Sequence, residues 1–385
     1  MTNAPSLRAG GSRTDKPRRS LGRLTVLGVA AAMALAACGS GDSGSDTASG
    51  AAVDVATYQQ GAEKAMAPVS KFTGPTEGPK AEAGKKVMFL ACGFEAEGCN
   101  LPAKAAGEAG DALGWDMTLV DGKFDPRIFS RAIQEAIDDK VDGIIIDAIS
   151  VEAIAEPIKR ARAAGIVVGS YDSANTPSKD GVSYEVIADP KAQGKAMSDY
   201  MIWKTDGKAR PFLLDAPEFK GPSTWLNAAG KGFEDCSSCK VVDRQNFVAG
   251  DAATRLPQLS LSTARQNPDM NVLVASYDAA MLQTIPSLEQ AGLLKNIKVG
   301  TFNGVSPALQ FVRDGKLSAT VGGAMAWGAW AAMDNMNRVL AGQEAVEQNV
   351  PIRLITAENI DSIAPGGPWD GDVDFRAAYK TIWGR

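Results

Sequence analysis

Acidic, amide and aromatic side chains carry the chemistry this chain can offer, because its 385 residues include no histidine. Without imidazole, the usual general base for a serine or cysteine nucleophile is missing, as is the commonest transition-metal ligand. Neither a GxSxG nucleophile elbow nor a phosphate loop ending GK[ST] occurs. Carboxylate chemistry remains open, but the pattern favours binding over turnover, with no cofactor and no metal. The chain's Asp, Glu and Asn side chains supply hydrogen-bond donors and acceptors in pairs. Phe94, Trp225 and Trp327 supply flat rings for the apolar faces of a small polar ligand. Trp327 has a plainer reading as lobe core, since it lies with Trp330 in an Ala-rich helix. Aromatics around two carboxylates also suit an amine, since cations sit well on aromatic faces.

The cysteines divide by position. Cys92/Cys99 and Cys236/Cys239 form two local pairs, both expected to be disulfides in an oxidising compartment. Cys236-Ser237-Ser238-Cys239 matches the spacing of a redox centre, but it precedes a strand and lacks the aromatic or proline context. A Cys92–Cys99 bridge would hold Phe94 and Glu95 in place before a ligand arrives, lowering the ordering cost of binding.

The elements that must position these residues form a strict alternation. Short apolar runs at Val87–Ala91, Met117–Val120, Gly143–Ile146 and Ile166–Gly169 are separated by stretches with helical spacing, such as Ile128, Ala132, Ile133, Ala136 and Ile137. The rhythm restarts after Asp189, with strands at Phe212–Leu214, Val241–Val242, Val272–Ala275 and Val299–Phe302 and helices between them. Runs buried on both faces and joined by helices predict parallel sheets built from βαβ units. Two such series predict two Rossmann-like α/β lobes. Ligands of open α/β sheets bind beyond the carboxyl ends of the strands. Those ends carry Cys92 to Glu95, Asp121, Asp147, Tyr171-Asp172-Ser173, Asp215, Tyr277-Asp278 and Phe302-Asn303.

The amino-terminal segment reads as a targeting device. Arg8, Arg13, Lys16, Arg18, Arg19 and Arg23 precede an apolar run from Leu24 to Ala37. The run is shorter than the roughly 20 apolar residues a bilayer span needs. It ends in Leu35-Ala36-Ala37-Cys38, which resembles the lipobox of bacterial lipoproteins and implies a diacylglyceryl anchor on Cys38. Arg18-Arg19-Ser20-Leu21 half-matches a twin-arginine signal, so either export route remains open. Removing six basic and one acidic residue from 40 and 45 leaves 34 and 44, a net charge of −10. An acidic mature chain offers no electrostatic footprint for nucleic acid. Gly39-Ser40-Gly41-Asp42-Ser43-Gly44 matches a dinucleotide fingerprint by spacing only, with no strand before it.

Val141-Asp142-Gly143-Ile144-Ile145-Ile146, Ala164-Gly165-Ile166-Val167-Val168 leading to Asp172, and Asp314-Gly315-Lys316-Leu317-Ser318-Ala319-Thr320-Val321 together resemble the type I periplasmic sugar-binding proteins, most clearly the ribose-binding group. The resemblance runs from about Lys85 to about Arg353. It implies two Rossmann-like lobes of parallel sheets flanked by helices, joined by a three-stranded hinge and closing over a ligand that is delivered to an ABC importer permease. Asp172 matches the family aspartate that accepts hydrogen bonds from sugar hydroxyls, while Ser173 stands where ribose binders place an arginine. Asn227 takes the place of a second arginine, Tyr277 of an asparagine and Asn303 of an aspartate. The Phe94-Glu95 loop replaces the first-strand loop that supplies an aromatic and an amide, and Trp327 follows the hinge strand. Loss of both arginines argues against ribose itself.

The expected organisation is a signal peptide over 1–37, a flexible tether and arm over 38–84, a first lobe over 85–190 plus 324–350, and a second lobe over 191–323 plus 351–385. The expected protein is a monomer outside the cytoplasm. It touches the membrane only through its lipid and captures a sugar, a polyol or a similar small polar molecule. A surface sensor, or a nucleoside or amine binder on the same scaffold, is the alternative.

Overall fold

A computed structural model describes residues 53–385. The leader, the lipobox cysteine Cys38 and the Gly/Ser tract up to residue 52 lie outside the described residues. After α1 (Val55–Met66), the first series runs β1 (Lys86–Ala91), α2 (Glu97–Leu113), β2 (Asp116–Asp121), α3 (Pro126–Asp138), β3 (Gly143–Asp147), α4 (Ala155–Ala163), β4 (Val167–Tyr171) and β5 (Tyr184–Val186). The second runs α5 (Pro190–Trp203), β6 (Pro211–Asp215), α6 (Lys220–Glu234), β7 (Asp243–Asn246), α7 (Ala252–Gln266), β8 (Val272–Ala275), α8 (Asp278–Leu282), α9 (Ile285–Gln290), β9 (Lys298–Asn303), α10 (Ser306–Arg313) and β10 (Ala319–Gly322). The chain continues through α11 (Met325–Leu340), β11 (Arg353–Thr356) and α12 (Phe375–Trp383).

The strands assemble into two sheets, ordered β2-β1-β3-β4-β5 and β11-β10-β9-β8-β6-β7. All pairs are parallel except β10 with β11. Central strands are covered on both faces, which is why Phe89, Ile144, Ile145, Phe212, Leu273 and Phe302 read as unbroken apolar sequence. Several helix starts are written locally. Asp125 caps α3 ahead of Pro126, and Asp189 caps α5 ahead of Pro190, each accepting a first-turn N–H. One expected strand is displaced: Val241–Val242 precede the ladder, and the paired residues are the polar Asp243–Asn246. β7 is an edge strand with one face open to water, so burial does not demand apolar residues there.

Each lobe recruits segments distant in sequence. After β10 the chain returns to the first lobe, where α11 packs on α2 and β4, then crosses again so that β11 extends the second sheet. The expected second-lobe segment 351–385 therefore needs correcting at its end, because α12 packs on α11 and α2 of the first lobe. Trp383 stacks on Trp330 at 5.3 Å, and its indole N–H donates to Asp334 at 2.9 Å. Arg338 and Gln348 meet the same aspartate, so this buried charge is paired and hydrogen-bonded. The arm before β1 is docked rather than free over its described part. The α1 helix lies on α5, and Phe72 stacks on Trp327. Among the described residues, no helix is long and apolar enough to cross a membrane.

Candidate functional site

The carboxyl ends of the two sheets meet across a cleft that is closed. Phe124, after β2, packs edge-on against Phe219, after β6, with ring centroids 5.9 Å apart. Glu97 at the start of α2 accepts hydrogen bonds from the Ser306 N–H (3.2 Å) and hydroxyl (2.5 Å) at the start of α10. Lys220 of α6 reaches Glu152 of the first lobe at 3.2 Å. Gly221 completes the approach, since a Cβ there would lie 2.3 Å from the Asp172 carbonyl oxygen. Only glycine lets α6 come this close.

On the first-lobe side, two strand-end loops are stapled together. The Ser173 hydroxyl donates to the Tyr171 carbonyl (2.8 Å) and accepts from the Ile149 N–H (3.1 Å). Asn175 accepts from the Val151 N–H (3.0 Å) and donates to the Ile149 carbonyl (3.0 Å). Glu185, on β5, accepts the N–H groups of Ser173, Ala174 and Asn175 at 2.9, 3.2 and 3.1 Å, together with the Ser170 hydroxyl. These bonds hold Asp172 and Ala174 in left-handed backbone conformations, both at φ 52°. Non-glycine residues seldom adopt this region, and at functional sites such strain is over-determined by the surroundings. Asp172 is half-buried and takes no hydrogen bond from the protein; burial, then the Glu185 charge, push its carboxyl up to about 7. Burial also pushes Glu185 to about 7, against the pull of its hydrogen bonds. Asp147 at the end of β3 is 1% exposed with both carboxylate oxygens unpartnered. Burial first, then the charges of Asp172 and Glu185, raise it well above the carboxylate range.

The second-lobe side is built differently. Asp278 is buried and accepts from the Gly304 and Val305 N–H groups (2.8 and 2.9 Å) and from the hydroxyls of Thr320 (2.8 Å) and Thr301. Burial lifts it to about 6 while those bonds pull it down. It thereby fixes the loop carrying Asn303, whose φ is 118°. Tyr277 is half-buried between Phe219 and Phe247, its ring centroid 5.8 Å from each. Asp215 takes the Ser223 hydroxyl at 2.6 Å and an Arg244 ion pair.

The residues expected from sequence fall into three groups. Phe94, Asp172, Tyr277 and Asn303 lie at strand ends bordering the cleft. Phe94 is held there by its N–H to Asp121 (2.9 Å) and by Asn100 to its carbonyl (3.1 Å). Glu95 and Asn227 are exposed: the acid that reaches across the cleft is Glu97, and the Asn227 oxygen accepts from Arg244 at 2.5 Å. Trp225 and Trp327 are corrections, because both are lobe core. Trp225 packs on Phe302 beneath the second sheet, its indole N–H on the Ser276 carbonyl. Trp327 has its two faces covered by Phe72 and Phe375, each 5.3 Å away. Cys92–Cys99 and Cys236–Cys239 are disulfides with Cα atoms 5.6 and 5.3 Å apart. The first closes the loop that holds Phe94 and Glu97.

Phe124, Phe219, Glu97, Ser306 and Glu185 were not expected from sequence. The strand-end rule could have found Phe124 and Phe219, three or four residues past their strands. Nothing in the sequence alone marks Glu97 over Glu95. A wide, open depression of about 1140 Å³ lies between the arm, β11 and the tail, lined in part by Arg353, Trp369 and Asp372. Asp372 is spent there on Arg353 (2.8 Å), the Trp369 indole (3.1 Å) and the Val69 N–H (2.8 Å), so this hollow does not rival the cleft.

Residues 91–344 match the family model described as a periplasmic binding protein domain. The D-ribose/D-allose-binding protein of Pseudomonas aeruginosa is 24% identical over 246 residues, covering 59% of this chain and 73% of that protein. The fructose import binding protein FruE of Bifidobacterium longum is 25% identical over 267 residues, covering 67% and 80%. Among solved structures, an ABC transporter solute-binding protein from Burkholderia graminis in complex with D-arabinose superposes with a TM-score of 0.67 at 20% identity, covering 74% of this chain and 99% of that one. One from Bacillus halodurans with bound myo-inositol gives 0.65 at 16% identity, covering 73% and 98%.

Proposed function

We propose, from the premise that this chain belongs to the periplasmic binding protein family, that it captures a sugar or polyol between its lobes and hands it to the permease of an ABC importer. A member of this family is a binding protein and not an enzyme, and it works outside the cytoplasm. The observation that carries the ligand reading is Asp172: an unpartnered, half-buried acceptor on a doubly stapled loop at the cleft. Such a group is preorganised for hydroxyl donors, so little ordering cost falls on binding. Aromatic rings of Phe124, Phe219 and Tyr277 border the same space and suit the apolar face of a sugar ring. The names of relatives that bind ribose, allose and fructose, and of neighbours holding arabinose and inositol, agree with this class. The basic leader, the apolar run and the Leu35-Ala36-Ala37-Cys38 motif support a lipoprotein tethered by a lipid on Cys38.

The test is a thermal-shift screen of residues 39–385 against pentoses, hexoses, polyols and nucleosides. A ligand at about 100 times its Kd adds roughly 2.7 kcal/mol, enough to raise Tm by several degrees. A sugar or polyol hit is the expected result. Hits confined to nucleosides would keep the fold and overturn the substrate class.

A further inference from the structure

The acids at the ends of β3, β4 and β5 are not equally committed. Glu185 is consumed by three backbone N–H groups and a hydroxyl. Asp172 and Asp147 are not: the first, just past β4 where α6 abuts its carbonyl, takes no hydrogen bond on its carboxyl, and the second lies buried on the adjacent strand with both oxygens orphaned. The charged groups that act on Asp172 and Asp147 are acids as well, Glu185 on both and Asp172 on Asp147, and none supplies positive charge. Lys220, whose helix abuts the Asp172 carbonyl, is directed to Glu152 instead. Among the described residues, no three acids are placed to ligate a metal ion.

A cleft that closes over unpaired carboxylates must bring in compensating charge or take up protons, because an uncompensated buried ion is strongly disfavoured. We propose that the solute carries a protonated amine beside its hydroxyl groups, as an amino sugar or amino polyol does, with its ammonium on Asp172 and the unpartnered Asp147 carboxyl behind it. This rests on the sugar or polyol reading and narrows it. The ammonium offers three donors to acceptors that the protein leaves empty, and the neighbouring aromatic rings tolerate a cation.

Isothermal titration at pH 7 with matched sets tests it: glucosamine, glucose and N-acetylglucosamine; galactosamine, galactose and N-acetylgalactosamine; glucamine and sorbitol. The expected result is an amino member that binds about 10–100-fold tighter than its neutral and N-acetyl partners, the range of a charge-assisted hydrogen bond. Asp147→Asn should narrow that ratio by threefold or more. Neutral or acetylated members binding as tightly as the amino ones would overturn the inference while leaving the sugar or polyol reading intact. Silence from every member of every set would count against both.

Discussion

Two buried acids on the carboxyl side of the third strand of each lobe, Asp147 at the end of β3 and Asp278 three residues past β8, have opposite surroundings. Asp278 in the second lobe is met by four donors and serves as a brace for the loop after β9. Asp147 in the first lobe is met by none, and its neighbours Asp172 and Glu185 are also acids. The same residue type beyond the corresponding strand is thus a brace where donors surround it and unsatisfied where they do not. Donor supply, rather than the presence of an acid at a strand end, separates a framework acid from an unsatisfied one in this protein. The second-lobe acid is thus fully hydrogen-bonded, whereas the first-lobe acids include one whose two oxygens have no partner.

Removing the brace should have the largest effect. Asp278→Ala leaves two backbone N–H groups and two hydroxyls without their acceptor, so unfolding in urea should show a loss above about 3 kcal/mol. A loss below about 1 kcal/mol would erase the distinction between the lobes. Asp172→Ala should weaken solute affinity by about 10–100-fold by calorimetry while leaving the unfolding midpoint unchanged or raised.

Asp147→Asn should stabilise the ligand-free protein, by about 1–3 kcal/mol at pH 8. The sign follows from the raised native carboxyl: the folded state holds its proton more tightly than the unfolded chain, whose value is near 3.8. The wild type is therefore most favoured below that value and loses stability as pH rises towards the native titration. The benefit of the amide should accordingly shrink at pH 5, and a gain that grows on acidification would contradict it. Smallest is the latch. Glu97→Ala removes two cross-lobe hydrogen bonds at a partly exposed site, worth about threefold to tenfold in affinity. Replacing Cys92 and Cys99 with serine should act in the same direction, since their ring contains both Phe94 and Glu97. Unchanged affinity in a folded double variant would leave that disulfide purely structural.

Most of the architecture was legible because strands covered on both faces must be apolar throughout, as in Gly143–Asp147 and Val272–Ala275. Legibility failed where that demand lapses. β5 has three residues, one of them the acid Glu185; β7 is a polar edge; β11 opens with the ion-paired Arg353. Phe375, Tyr379 and Trp383 stand at helical spacing in α12, but their periodicity does not say which lobe they cover. Of the proposed site, the strand ends were legible, and Asp172, Tyr277 and Asn303 do stand at them. Aromatic identity alone could not separate the core rings of Trp225 and Trp327 from the cleft rings of Phe124 and Phe219, since all four seek burial. The absence of a cationic partner for Asp172 was visible in sequence, whereas the orphaned state of Asp147 emerges only once β3, β4 and β5 are side by side.

The central claim is that solute is held between the lobes on the Asp172 side. Its most direct measurement is a calorimetric titration of the best sugar, polyol or amino-sugar hit into wild type, Asp172→Ala and Asn227→Ala. The account predicts loss of at least tenfold in affinity for the Asp172 variant and little change for Asn227, whose side-chain oxygen is already taken by Arg244. Full affinity in Asp172→Ala, or a larger loss in Asn227→Ala, would contradict it and move the site to the second-lobe face.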